Sequence, residues 1–121
     1  MFDWREYLDL ANSLAGQPGG AASIPFSEAT SRCAVSRAYY AAFCHARNYA
    51  QQHLGYVAGN VASDHGTLRR HYLRHGMIEV AEALDRLRAQ RNRCDYDNQV
   101  PSLPGMLTTA LQDAAAVIQR L

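Results

Sequence analysis

Residues 27–54 read SEATSRCAVSRAYYAAFCHARNYAQQHL, with no Gly or Pro anywhere in the run. Ser27 is an N-cap candidate, Glu28 places an acid in the first turn, and Gly55 follows as a stop. The spacing predicts one helix of about 27 residues, roughly 40 Å long at 1.5 Å per residue. Its apolar positions include Cys33, Ala34, Ala38, Tyr40, Ala41, Phe43 and Cys44, so they lie nearly all round the helix. Ala34, Ala38, Ala41, Ala42 and Ala46 permit close helix–helix approach on more than one face. Such a helix is central to its bundle, or it also faces a partner subunit.

Working outward, the flanks read the same way. Trp4, Tyr7, Leu8, Ala11, Leu14 and Ala15 form a stripe at helical period. Asp3 is placed to cap it, with Glu6 reaching back as in a capping box, and Gly16 to end it. Residues 16–26 (GQPGGAASIPF) read as a loop. Residues 55–62 read as a second loop, after which Asp64 caps a short third helix closed by Gly76. A fourth helix runs from about Met77 to Tyr96. Residues 97–105, with Pro101, Pro104 and Gly105, read as a third loop before an amphipathic fifth helix carrying Met106, Leu107, Ala110, Leu111, Ala114, Val117, Ile118 and Leu121. The alternating β-branched signature of strands is missing. The expectation is an all-α, up-and-down bundle of four long helices plus one short helix, a single domain over residues 1–121.

Composition fits that reading. Of the 121 residues 48% are hydrophobic and 19% charged, ordinary for a globular chain and too apolar for a disordered one. No apolar run of about 18 residues exists, so no membrane span is expected. The start MFDWREYLDL lacks the basic, then apolar, pattern of a signal peptide, which leaves a cytoplasmic location as the expectation. The net charge is +1, so no bulk attraction to nucleic acid or membrane follows. Its distribution says more. Residues 1–31 carry Arg5 against Asp3, Glu6, Asp9 and Glu28. Residues 65–93 carry seven Arg against Glu79, Glu82 and Asp85. All twelve bases are Arg, a pattern that a GC-rich coding background explains as readily as anion recognition. Cys33, Cys44 and Cys94 lack metal-ligand spacing, and two on one helix about 16 Å apart cannot bridge. Reduced, mostly buried thiols are expected, and no cofactor or metal.

Two segments could carry chemistry. In Ser36-Arg37-Ala38-Tyr39-Tyr40-Ala41-Ala42-Phe43 the two tyrosines point about 100° apart. One reading has Tyr40 and Phe43 pack inward, the phenol meeting a backbone partner. The other has Arg37 and Tyr39 line a groove beside the fourth helix. In Arg86-Leu87-Arg88-Ala89-Gln90-Arg91-Asn92-Arg93-Cys94-Asp95-Tyr96, four Arg fall within eight residues. Arg88 and Arg91 share a face and Asp95 follows Arg91 at i+4. This is either a solvated basic face with a weak ion pair, or a guanidinium fork, amide, carboxylate and phenol suited to a phosphate and its sugar. Asp95 fixing Arg91, with Tyr96 packed against the second helix, would also serve as architecture.

SRAYYAAF followed by RNRCDY, together with the opening W-x-x-Y-L-x-L-A helix, resembles the HEPN family over nearly the whole chain. The resemblance implies a helical bundle that dimerises with its Arg-motif grooves meeting near the dimer axis. In catalytic members it implies metal-independent RNA cleavage, an Arg of an Arg-x4–6-His motif contacting the scissile phosphate and the His handling protons at the 2′-hydroxyl. Arg91 and Asn92 match the start of that motif, but Tyr96 stands where Arg-x4-His would place its His. Tyrosine, with a reference pKa near 10, is a poor base at neutral pH. The candidate catalytic residues are therefore Arg91, Tyr96 and a displaced His71 or His65; the candidate binding residues are Arg37, Tyr39, Arg88, Arg91, Asn92 and Asp95.

His71 and His75 have the i, i+4 spacing of helical zinc ligands, but no acid completes a site and Arg70 and Arg74 would repel a cation. His45 reads as a satisfied, half-buried histidine. No Gly-rich phosphate loop, nucleophile motif or paired carboxylates are present. Three functions fit: a binding module for RNA or a nucleotide-bearing partner in toxin–antitoxin or defence biology, carrying a degenerate ribonuclease motif; an active metal-independent ribonuclease toxin; or a protein-interaction partner of a nucleotidyltransferase.

Overall fold

The computed structural model describes residues 1–16 and 28–121; residues 17–26 of the loop expected over 16–26, and the Ser27 cap, lie outside them. The described residues form five helices, α1 (Arg5–Leu14), α2 (Glu28–His53), α3 (Val61–Arg74), α4 (Ile78–Tyr96) and α5 (Leu103–Arg120). The fold is all-α, four long helices and one short one, α1, of 10 residues. Helix α3 is longer than expected, at 14 residues. None of these helices is long and apolar enough to cross a membrane.

Helix α2 is the central element. Its buried residues include Ala34, Val35, Ala38, Tyr39, Ala41, Ala42, Phe43, Ala46 and Ala50, which cover most of its circumference. It packs against α1, α4 and α5, while α3 rests mainly on α4. The alanines leave room for three neighbours around one helix, and Leu68, Leu87, Leu107 and Val117 supply the bulk that fills the interior from outside.

The helix ends show which local signals prevailed. Gly55 and Gly76 close α2 and α3 with φ of +66° and +74°, a conformation glycine adopts without steric cost. Helix α3 is capped by Asn60, not Asp64: the Asn60 side chain accepts the Ala62 N–H at 3.0 Å. Asp64 is instead buried one turn in, where Oδ1 accepts the Tyr56 hydroxyl at 3.0 Å and the Gly59 N–H at 2.9 Å. It ties the 55–60 segment onto α3 rather than starting the helix. At α1 the Asp3 carboxylate accepts the Arg5 N–H, but its oxygens are shared with the Arg5 guanidinium, and no Glu6 bond closes a box. Helix α5 begins at Leu103, inside the expected third loop. Pro104 sits in its first turn, where the missing N–H would have had no acceptor in any case.

Arg32 fixes the far end of α4. Its Nη1 donates to the carbonyls of Cys94 (3.0 Å) and Asp97 (2.5 Å), and Nη2 to that of Asn98 (3.1 Å) and to Glu28 (3.1 Å). The last carbonyls of a helix have no partner within it, and a guanidinium supplies one with charge of the right sign. All three cysteines are free, Cys33 exposed and Cys44 and Cys94 buried.

Candidate cleft between the third and fourth helices

Tyr39, not Tyr40, is the tyrosine of the core, with 1% of its surface exposed. It stacks on Phe43, one turn later, at 5.7 Å between ring centres. The i, i+4 pair places both rings on one face of α2, and α3 lays His65 across them, 5.5 Å from Tyr39 and 4.5 Å from Phe43. The Tyr39 hydroxyl is hydrogen-bonded to His65 Nδ1. Tyr40 is half-buried at the rim, and its hydroxyl accepts from Arg91 Nη1 at 3.4 Å rather than meeting backbone. The tyrosine that does meet backbone is Tyr72, whose hydroxyl donates to the Ala46 carbonyl at 2.6 Å.

Arg91 does not open onto a broad groove. Its side chain is 11% exposed and lies over the rings of Tyr39 and Tyr40, at 5.4 and 5.5 Å. The i+4 ion pair with Asp95 forms at 3.6 Å, and Nε is buried without a hydrogen-bond partner. Arg88, one turn earlier on α4, is exposed and borders a narrow cleft with Tyr39, His65, Arg69 and Asp85. Arg69 and Asp85 approach across it at 3.9 Å. The enclosed volume is about 10 Å³, room for about one water.

The remaining candidates fall elsewhere. Arg37 lies over the ring of Tyr7 in α1, at 5.5 Å, because it is two residues from Tyr39 and so about 200° round the helix. Asn92 is half-buried beside Arg91. Tyr96 is 75% exposed and does not pack against α2. His71 donates from Nε2 to the Leu54 carbonyl at 2.7 Å and borders Tyr56 and His75, so it does not join the cleft. Among the described residues no group of three His, Cys, Asp or Glu could hold a metal ion.

Burial pushes the His65 pKa below its ordinary value, and Arg88 and Arg91 push it the same way, with Asp64 opposing them. Burial pushes Tyr39 upward despite the same two arginines. At neutral pH the pair is thus a phenol bonded to an uncharged imidazole beside two guanidiniums. When Nδ1–H donates to the phenol oxygen, Nε2 can accept a proton while Arg88 holds an anion. Three residues escaped the sequence reading. Asp64 resembles a cap in the sequence, Arg32 belongs to no motif, and His45, expected to be satisfied, has its Nε2 buried without a partner among the described residues. Compared with family models, with curated proteins and with solved structures, the chain matches none.

Proposed function

We propose that this chain is a HEPN-like helical module, a homodimer in the cytoplasm, that engages RNA or a nucleotide-bearing partner in toxin–antitoxin or defence-type biology. The observation that supports this reading is the convergence of His65, Arg88 and Arg91 on Tyr39, which joins two guanidiniums to an uncharged imidazole. The enclosure of Arg91 alters its role. Arg88 is the cation open to a phosphate, and Arg91 supplies charge from behind the tyrosine rings. The test is binding of single-stranded RNA to the full chain as salt is varied. Affinity that falls steeply with salt, and falls again in Arg88→Ala, is the expected result, because phosphate contacts release counterions. Absent or salt-insensitive binding overturns it and favours a protein partner such as a nucleotidyltransferase.

One observation favours a second reading, a metal-independent ribonuclease. Tyr39 engages Nδ1 of His65, while Nε2 has no protein partner among the described residues. With Nδ1–H donating to the phenol oxygen, Nε2 carries the lone pair that abstraction of a 2′-hydroxyl proton requires. Cleavage of RNA in the presence of a chelator, lost in His65→Ala, is the outcome this reading demands.

A further inference from the structure

The opposite side of α2 carries a second cavity. Residues 45, 48, 49, 52 and 53 recur at helical spacing and so share one face, which the Met1–Arg5 segment covers. It is an open-sided hollow of about 260 Å³. That is just under the roughly 300–1,000 Å³ of sites for drug-sized ligands, enough for one fused ring system. Its aromatic walls are Phe2 and Trp4, edge to face at 4.9 Å, and Tyr49, which lies 4.7 Å from the His53 ring.

The polar groups of this cavity are largely unused. His45 Nε2 is buried with no hydrogen-bond partner. The Asn48 amide has no partner among the described residues. Gln52 donates only to the Met1 sulfur, at 3.6 Å, a weak acceptor. The Asp3 and Arg5 charges offset each other: Asp3 is held by Arg5 through both carboxylate oxygens, which keeps its pKa down at about 2. Burial and Arg5 push the His45 imidazole downward, toward the uncharged form. A flat, neutral ring with donors and acceptors along its edge would find stacking faces and unpaired amides together.

We propose that this cavity binds an adenine-type nitrogen heteroaromatic, stacked on the Trp4 ring, with Asn48 and Gln52 reading its edge. A side-chain amide offers one donor and one acceptor at the spacing of the adenine N6 and N7 positions. Stacking on aromatic side chains is how unpaired bases are held. The same chemistry could come from a free nucleoside or from an unpaired adenine in RNA. The site is distinct from the Arg88 cleft and does not depend on it.

Trp4 is the only tryptophan in the sequence, and it lines the cavity, so its emission reports occupancy directly. The full chain is titrated with adenosine and separately with single-stranded oligoadenylate, corrected for ligand absorbance. The expected result is saturable quenching by adenosine that is the same at low and high salt, since adenosine carries no phosphate. Asn48→Ala should weaken it about tenfold, the value of one lost edge contact. If Asn48→Ala does not fold, as judged by helical circular dichroism, the exposed Gln52→Ala carries the same comparison. Tighter binding of oligoadenylate, also weakened by the substitution, identifies RNA as the source; equal or weaker binding identifies the free nucleoside. No saturable quenching, or quenching that the substitution leaves unchanged, overturns the proposal. Salt-insensitive adenosine binding stands even if RNA does not bind at Arg88, so the two readings fail separately.

Discussion

Arg32 and Arg91 both bridge α2 and α4, and the protein treats them in opposite ways. Arg32 reaches the end of α4 and donates to three backbone carbonyls and to Glu28. Arg91 lies within α4 and finds two tyrosine rings, one hydroxyl at 3.4 Å and one carboxylate at 3.6 Å, with Nε left unpaired. The difference follows from helix geometry. Carbonyls are free only over the last turn of a helix, so a guanidinium there finds backbone acceptors for most of its N–H groups, and Glu28 takes the rest. Along the helix body the backbone is already paired, and only side chains remain. The first arrangement is architecture. The second leaves a guanidinium under-partnered beside a histidine and a phenol.

That contrast can be broken by experiment. Arg32→Ala should have the largest effect, a loss of about 3 kcal/mol in chemical denaturation, because several charge-assisted hydrogen bonds vanish together and the end of α4 frays. A loss under about 1 kcal/mol would mean that solvent replaces those bonds and that Arg32 is no clamp. Tyr39→Phe should cost about 1 kcal/mol, the worth of one hydrogen bond. The His65 titration followed by NMR should move with it, and an unmoved titration would show that the hydroxyl does not hold the ring.

A pH effect of the same origin should be smaller and has a definite sign. His45 and His65 are held below their ordinary value of 6.5 when folded, so the unfolded chain takes up protons first on acidification. Their contribution to stability is present above about pH 6.5 and is lost as the pH falls toward the folded values. The urea midpoint should drop between about pH 7 and pH 5. His65→Gln should flatten that drop; a variant with the full slope would place its origin elsewhere. Arg91→Met should have the least effect, within about 0.5 kcal/mol, since replacing an enclosed and poorly paired charge by an apolar side chain of similar length removes a desolvation cost along with the ion pair. A loss of several kcal/mol would show that the two tyrosine faces and Asp95 satisfy Arg91 as fully as the carbonyls satisfy Arg32.

The bundle was largely legible because its signals are local. The long Gly- and Pro-free run makes α2, and Gly55 and Gly76 stop their helices in the left-handed conformation. The candidate site was legible only in outline. Tyr39, Arg88, Arg91 and His65 do converge, but Arg37 and His71 turn to other neighbours. Adjacent helical residues point about 100° apart, and a stripe of alanines and aromatics on several faces does not say which face each neighbour takes. Pro104 misled in the other direction, since a proline read as a loop marker is equally at home in a first helical turn.

The order of helices, their stops and the concentration of arginine in the third quarter of the chain were determined by the residues alone, since each depends on spacing within a few turns. Which tyrosine turned inward, what Asp64 ties down, how far Arg91 is enclosed and what lies over His45 were decided by tertiary packing. Each depends on the rotation of one helix against another and on contacts between side chains such as Tyr56 and Asp64, 8 positions apart, or Tyr40 and Arg91, 51 apart. No local pattern encodes that rotation; it is the outcome of filling the interior.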